Sequence, residues 1–472
     1  MSVRAQNESW FPDAVSWGIL SCVIAAGLLG NWFIAAGVLA LLVINCARPL
    51  DFVVGYVMVT GATVFANYQG TEGTLTRQLT PVSVGIVAVL LFYVLAKGHD
   101  TFSMPFTTLT WPLVAYLFLS LVNVARGIVA GYPGKFILLE LFPILQLGTA
   151  FLFANVFDAR RDLKTVIFLL AVIAYGSAAY GYETFAELGT HITGVYFEVI
   201  PGMAALLFVN LALRSKSLST SFVWLVLSLP LFLHQFLSFG RGIWLGNLAG
   251  FVSSILIFAV GRGRAAWVRG GLILGTFVAA GLLGAFVLAV VYGRSDILLE
   301  AGTRFASIGK TELKVDSRAN VSRLIEYVHV AGDIRKAPWF GHGLGYAFYV
   351  HSRLITEITR LQYWVHENYL LVWLKQGLIG LATFIVMLAS AFWMGVRSSR
   401  RHQEPEEAAW LAAASAATAL MTVFALTDFP FDTVQPMFVV SLFWGGTMAI
   451  TNRGFLRIRW SNRVPALEPR GA

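Results

Sequence analysis

The chain has 472 residues, 57% of them hydrophobic and only 12% charged, with a mean hydropathy of +0.72. A soluble domain carries roughly 25% charge, so this composition excludes a soluble globular protein and points to a polytopic membrane bundle. The net charge of +9 fits cytoplasmic anchoring of membrane spans, not nucleic-acid binding.

A membrane-spanning helix needs about twenty mostly apolar residues. Fourteen runs approach that, at 15–29, 32–46, 52–68, 82–96, 109–129, 136–157, 165–182, 193–213, 222–239, 242–260, 267–292, 369–396, 408–426 and 435–450. Several early runs are short, so about 12–14 transmembrane helices are expected. The first run begins near Val15 without a small-residue cleavage site and reads as a span rather than a signal peptide. Cys22 and Cys46 lie inside apolar runs and read as packing residues, with no disulfide framework.

Lys and Arg in short connections set the orientation. With the N-terminus inside, the inner connections hold Arg48, Lys97, Arg160, Arg161, Lys164, Arg214, Lys216, Arg262, Arg264, Arg269, Arg397, Arg400 and Arg401. The tail adds Arg453, Arg457, Arg459 and Arg463, and 451–472 reads as a basic cytoplasmic tail with an interfacial anchor at Trp460. The outer connections hold only Arg77, Arg126, Lys135 and Arg241, together with acids such as Glu183, Glu187, Asp428 and Asp432. Both termini are thus expected inside, and the one long loop, 293–365, outside.

That loop carries Arg294, Arg304, Lys310, Lys314, Arg318, Arg323, Arg335, Lys336, Arg353 and Arg360, and it runs into His366. Cations beside a titratable imidazole at one membrane face suit a phosphate-linked substrate. His366 stands where the loop re-enters the membrane, near a helix N-terminus, where it could accept a proton near neutral pH. Glu367 and Asn368 follow it and could orient the ring or bind sugar hydroxyls. Arg241 opens the span at 242–260, flanked by Gly240 and Gly242, which suggests a sharp turn open to a ligand. The run Gly341-x-Gly343-x-Gly345 reads as a tight turn packing the loop on the bundle, since no strand precedes it as a Rossmann signature requires. His342 and His351 read as structural, and Asp428 and Asp432 as turn residues that could touch substrate. No metal-ligand spacing is evident, and neither metal nor cofactor is expected.

Two motifs resemble the O-antigen ligase and polymerase superfamily of bacterial surface-polysaccharide assembly. The ligases' R-x3-L pattern stands as Arg241-Gly-Ile-Trp-Leu245. Their histidine pattern stands as His366, Glu367, Gly377 and Gly380, with Glu367 where an amide or hydroxyl is usual. Ser322-Arg323-Leu followed by Pro338 and the glycine turn is a third likeness. The resemblance covers roughly 222–450, an expected catalytic region, while 1–221 matches only as N-terminal transmembrane helices. It implies an all-α glycosyltransferase bundle of the GT-C type in the bacterial inner membrane, with a periplasmic active site. It implies an undecaprenyl-diphosphate-linked glycan as donor and an acceptor glycan or lipid A core as acceptor. Arg241, with Arg318 or Arg323, would bind the diphosphate, and His366 would be general base for an inverting, metal-independent transfer. The alternative from a different class is a transporter that flips the lipid-linked glycan. It needs a cationic cavity within the membrane, whereas Glu140, Glu198, His234 and Lys375 are the main ionisable residues inside the spans.

Overall fold

The computed structural model describes residues 104–188, 195–238, 240–290, 299, 302–303, 318–352, 358–432 and 434–452. The first four expected spans, the loop cations before Arg318, Arg353 and the tail from Arg453 onward lie outside the described residues.

The described chain is mostly helical. Seven helices run from Thr110 to Val290: α1 (Thr110–Val129), α2 (Gly134–Val156), α3 (Ala159–Leu188), α4 (Val195–Arg214), α5 (Leu218–Leu237), α6 (Arg241–Ala259) and α7 (Arg264–Val290). The loop segment follows with α8 (Arg318–Lys336) and a hairpin, β1 (Phe348–Ser352) and β2 (Ile358–Gln362). Then come α9 (Asn368–Ser399), α10 (Pro405–Phe424), a 3-10 turn (Pro430–Asp432) and α11 (Val434–Thr451). Among the described residues, seven helices are long and apolar enough to cross a membrane, and Val199–Arg214 and Pro436–Thr451 are shorter apolar helices. Each expected span from 109 onward coincides with a helix, because the apolar runs end at charged or turn residues that cannot enter hydrocarbon.

Helix α10 is the axis of the bundle and packs on α4, α6, α9 and α11. Its alanines, including Ala409, Ala412, Ala413, Ala416 and Ala417, let neighbouring backbones approach closely. A glycine stripe on α6 meets it: a Cβ at Gly246 would lie 2.8 Å from the Leu420 carbonyl, and one at Gly250 would lie 2.9 Å from that of Ala416.

The connections gather at two ends of the bundle. At one end Arg269 donates to the carbonyls of Ala212 and Ser215, and Lys164 faces Glu406 at 3.8 Å. At the other end the α1–α2 turn, the start of α6, the segment after α10 and the α8–hairpin region meet.

The hairpin pairs Phe348 with Gln362 through Ser352 with Ile358. It departs from a purely helical expectation. Its segments are rich in aromatic and β-branched residues, which favour a pleated, half-buried surface. Phe348 packs with Val330 and Ile334 of α8 and with Val365, Leu371 and Leu374 in a small core of its own. The described part of the loop, 318–352 and 358–365, is therefore a folded cap.

Candidate functional site

The cap is stitched into a break in α9. Gly377 has φ 71° and ψ −175° inside that helix. The break leaves carbonyls unpaired on one side and N–H groups on the other, and each such buried group needs a partner. The cap supplies them. His342 and Gly343 donate to the carbonyls of Leu374 and Lys375, and Leu378 and Ile379 donate to those of Pro338 and Trp339. Gly341, Gly343 and Gly345 all have positive φ. Gly343 rests on Gly127 of α1, and Leu344 donates to the Asn123 carbonyl. Deeper in, the buried Lys375 ammonium bonds Glu140, whose other oxygen accepts the Gly345 N–H at 2.7 Å. This interlock fixes α8 relative to the N-terminus of α9.

His366 lies at that N-terminus, and its main-chain N–H donates to Glu326 Oε1 at 2.7 Å. Its ring Nδ1 lies 2.8 Å from Glu326 Oε2. A carboxylate oxygen accepts in this contact, so Nδ1 is the donor, and in the neutral ring Nε2 would be the nitrogen able to accept. Glu326 is 2% exposed, and Gln362 Nε2 also donates to it at 2.9 Å. Trp364 and Phe429 stand beside the imidazole, with ring centroids 4.5 Å and 6.2 Å from it.

Further ionisable groups surround this pair. Burial pushes the Asp428 carboxyl up, while Arg323 and His366 nearby pull it down. Burial likewise pushes the Tyr327 hydroxyl up, and Arg323, Glu367, Glu326 and Asp428 all lie within electrostatic reach of it. Burial pushes Glu367 up to about 7, against hydrogen bonds from the Leu370 and Tyr369 N–H groups.

The sequence candidates divide as follows. Arg323 lies in the cluster with His366. Arg318 opens α8, one turn earlier. Glu367 caps α9 by accepting from the Leu370 N–H at 3.2 Å. Asn368 holds the segment after α10, since its N–H donates to the Ala425 carbonyl and its Oδ1 accepts from the Phe431 N–H. The carboxylate that orients the imidazole is thus Glu326, not Glu367. The helix N-terminus is also not the ring's only electrostatic neighbour.

Arg241 begins α6 at the same end. The connection from α5 to α6 is tight, three residues long, but its glycines do not supply the unusual dihedrals expected of them. Gly240 has φ −76° and ψ 107°, which any residue adopts, and Gly242 is an ordinary helical position. Glycine is required at 242 for packing: a Cβ would fall 1.7 Å from Thr427 Oγ1. That contact brings Arg241 beside the segment bearing Asp428 and Phe429. His342 is structural, with Nε2 at 2.9 Å from the Asp333 carbonyl and its ring stacked on Tyr346. Asp428 closes a turn through the Phe429 N–H at 2.9 Å, and Asp432 ends the 3-10 turn. Among the described residues, no group of three or more His, Cys, Asp or Glu side chains is placed to hold a metal ion.

Sequence reasoning missed Glu326, forty residues from its partner. A signal was present, because Glu326, Val330 and Ile334 recur at helical spacing on one face. A carboxylate on an apolar stripe demands a buried partner. No protein-family model matches the chain, and no curated protein matches it.

Proposed function

We propose that this chain is a membrane glycosyltransferase that moves a glycan from undecaprenyl diphosphate to an acceptor hydroxyl at the outer face of the bacterial inner membrane. The observation that carries the proposal is the buried Glu326 carboxylate seated on Nδ1 of His366, at the bundle end where Arg241 and Arg323 lie. The motif likeness to the O-antigen ligase and polymerase superfamily supports it, as does the concentration of short-connection cations at the opposite end.

The chemistry is a single displacement. His366 Nε2 takes the acceptor hydroxyl proton as that oxygen attacks the anomeric carbon. The bond from anomeric carbon to phosphate oxygen breaks with inversion, and undecaprenyl diphosphate leaves with its charge toward Arg241 and Arg323. Guanidinium groups suit this because they bind phosphate oxygens in a planar fork and stay charged. Glu326 compensates the positive charge that the imidazole gains. Extension of a carrier-bound chain and transfer to lipid A core use the same step, and GT-C architecture belongs to this reading.

The rival reading is a flippase. Glu140 and Lys375 neutralise one another in the bundle, so this pair leaves no uncompensated charge there to carry an anion across. This favours surface chemistry over translocation. Arg241→Ala and His366→Ala should each abolish glycan transfer in cells while expression is unchanged. Normal long-chain product in either variant would refute the mechanism.

A further inference from the structure

The cap presents an apolar and basic face that the catalytic reading does not use. Along α8, Glu326, Val330 and Ile334 point inward, and Leu324, Val328, Ala331, Gly332, Arg335 and Lys336 are exposed. Leu324 is 47% and Val328 65% exposed, and Trp339 and Phe340 just beyond the helix are 61% and 63% exposed. That face has no exposed carboxylate, since Asp333 is half-buried and bonded to Lys336 and Tyr346. An extramembrane helix does not leave such a stripe to water without a reason.

The stripe runs into an exposed apolar face of the bundle. The Trp339 carbonyl accepts from Ile379, and Leu378, Ile379, Ile385 and Val386 are exposed beyond the break in α9. The Phe340 carbonyl accepts from Arg126 at the end of α1, where Ile128 and Val129 are exposed. Aromatic residues at a span end with cations beside them are the usual signature of the interface between hydrocarbon and headgroups. We infer that α8 lies in the plane of the membrane surface, with Leu324, Val328, Trp339 and Phe340 in the acyl boundary and Arg335 and Lys336 on anionic headgroups. Because Glu326 sits on the opposite face of the same helix, this immersion would hold His366 at headgroup depth. There the polar head of a membrane-anchored substrate would meet it. The inference rests on the membrane reading and does not require transfer activity.

A spin label tests it. Cys22 and Cys46 are replaced by Ser, and single cysteines are introduced by Val328→Cys and Leu324→Cys in the full chain. Val386→Cys gives a lipid reference and Lys216→Cys an aqueous one. The labelled protein is reconstituted in phosphatidylcholine vesicles with and without phosphatidylglycerol. The expected result is that labels at 324 and 328 collide more with oxygen than with a water-soluble nickel chelate, at a depth shallower than label 386. Arg335→Ser with Lys336→Ser should move label 328 toward water in the anionic vesicles only. Nickel accessibility equal to label 216 would overturn the inference. So would shielding from both reagents with dipolar broadening between copies, which would assign the face to a second copy of the chain. Neither failure touches the Glu326–His366 pair, which is read by transfer alone.

Discussion

Glu326→Gln is the sharpest perturbation of the proposed base. It keeps the shape of the side chain and removes its charge. The carboxylate accepts the His366 N–H at 2.7 Å, the ring Nδ1 at 2.8 Å and Gln362 Nε2 at 2.9 Å. Glutamine offers one acceptor oxygen and an amide NH2 that must face one of these donors, so at least one bond is lost. The compensation of the imidazolium is lost as well. Two opposite charges about 4 Å apart are worth about 4 kcal/mol at an effective dielectric constant of about 20. The His366 side chain is 26% exposed, so solvent screening reduces this to roughly 2 kcal/mol. That alone is about 30-fold in rate. A wrong tautomer adds to it, and loss of the orienting carboxylate in a serine-protease triad costs about 10⁴-fold. We therefore predict that kcat falls by between about 30-fold and 10⁴-fold, while KM for the lipid-linked donor changes by less than about threefold. Steady-state transfer by purified protein in liposomes checks this, with thermal unfolding as the folding control. A folded Glu326→Gln variant with wild-type kcat, or one impaired only in KM, would refute the dyad.

Three other outcomes follow from the geometry. Glu367 is raised by burial from its usual 4.5 to about 7, so between those values the folded chain holds a proton that the unfolded chain has lost. Stability must then fall as pH rises through that window. Melting in detergent should show this decline, Glu367→Gln should flatten it, and an unchanged slope would contradict the assignment. Gly377→Ala would impose a side chain at φ 71° with its Cβ 2.2 Å from the Trp339 carbonyl oxygen. A loss of roughly 3 kcal/mol or more and protease cleavage within the cap are expected, and unchanged melting would refute the stitched break. Gly242→Ala should abolish transfer by displacing Thr427, and Thr427→Ala should restore part of it, because the nearest clashing atom is Oγ1. A double variant no better than the single one would show that packing against Thr427 is not the cause.

Much of the bundle was legible in sequence because hydrocarbon imposes a simple rule. The run read at 369–396 becomes Asn368–Ser399, and the one at 242–260 becomes Arg241–Ala259. The cap was not legible in this way. Its hairpin and α8 are held by tertiary packing around Phe348 and Val365, and the helical spacing of Glu326, Val330 and Ile334 announces the helix but not what it packs on. The glycines show the same limit. Gly377 and Gly242 both stand out in sequence, yet one supplies a backbone conformation and the other only space. Glu326 was hidden because its partner is distant in sequence and its segment read as a charged loop.

The central claim is that His366 makes a glycosidic bond, and reconstitution tests it most directly. Purified protein in liposomes would receive an undecaprenyl-diphosphate-linked oligosaccharide and an acceptor glycan or lipid A core, with a chelator present. The account predicts a product of inverted anomeric configuration and release of undecaprenyl diphosphate, both lost in His366→Ala. Movement of the donor across the bilayer without any new bond, or undiminished transfer by His366→Ala, would contradict it.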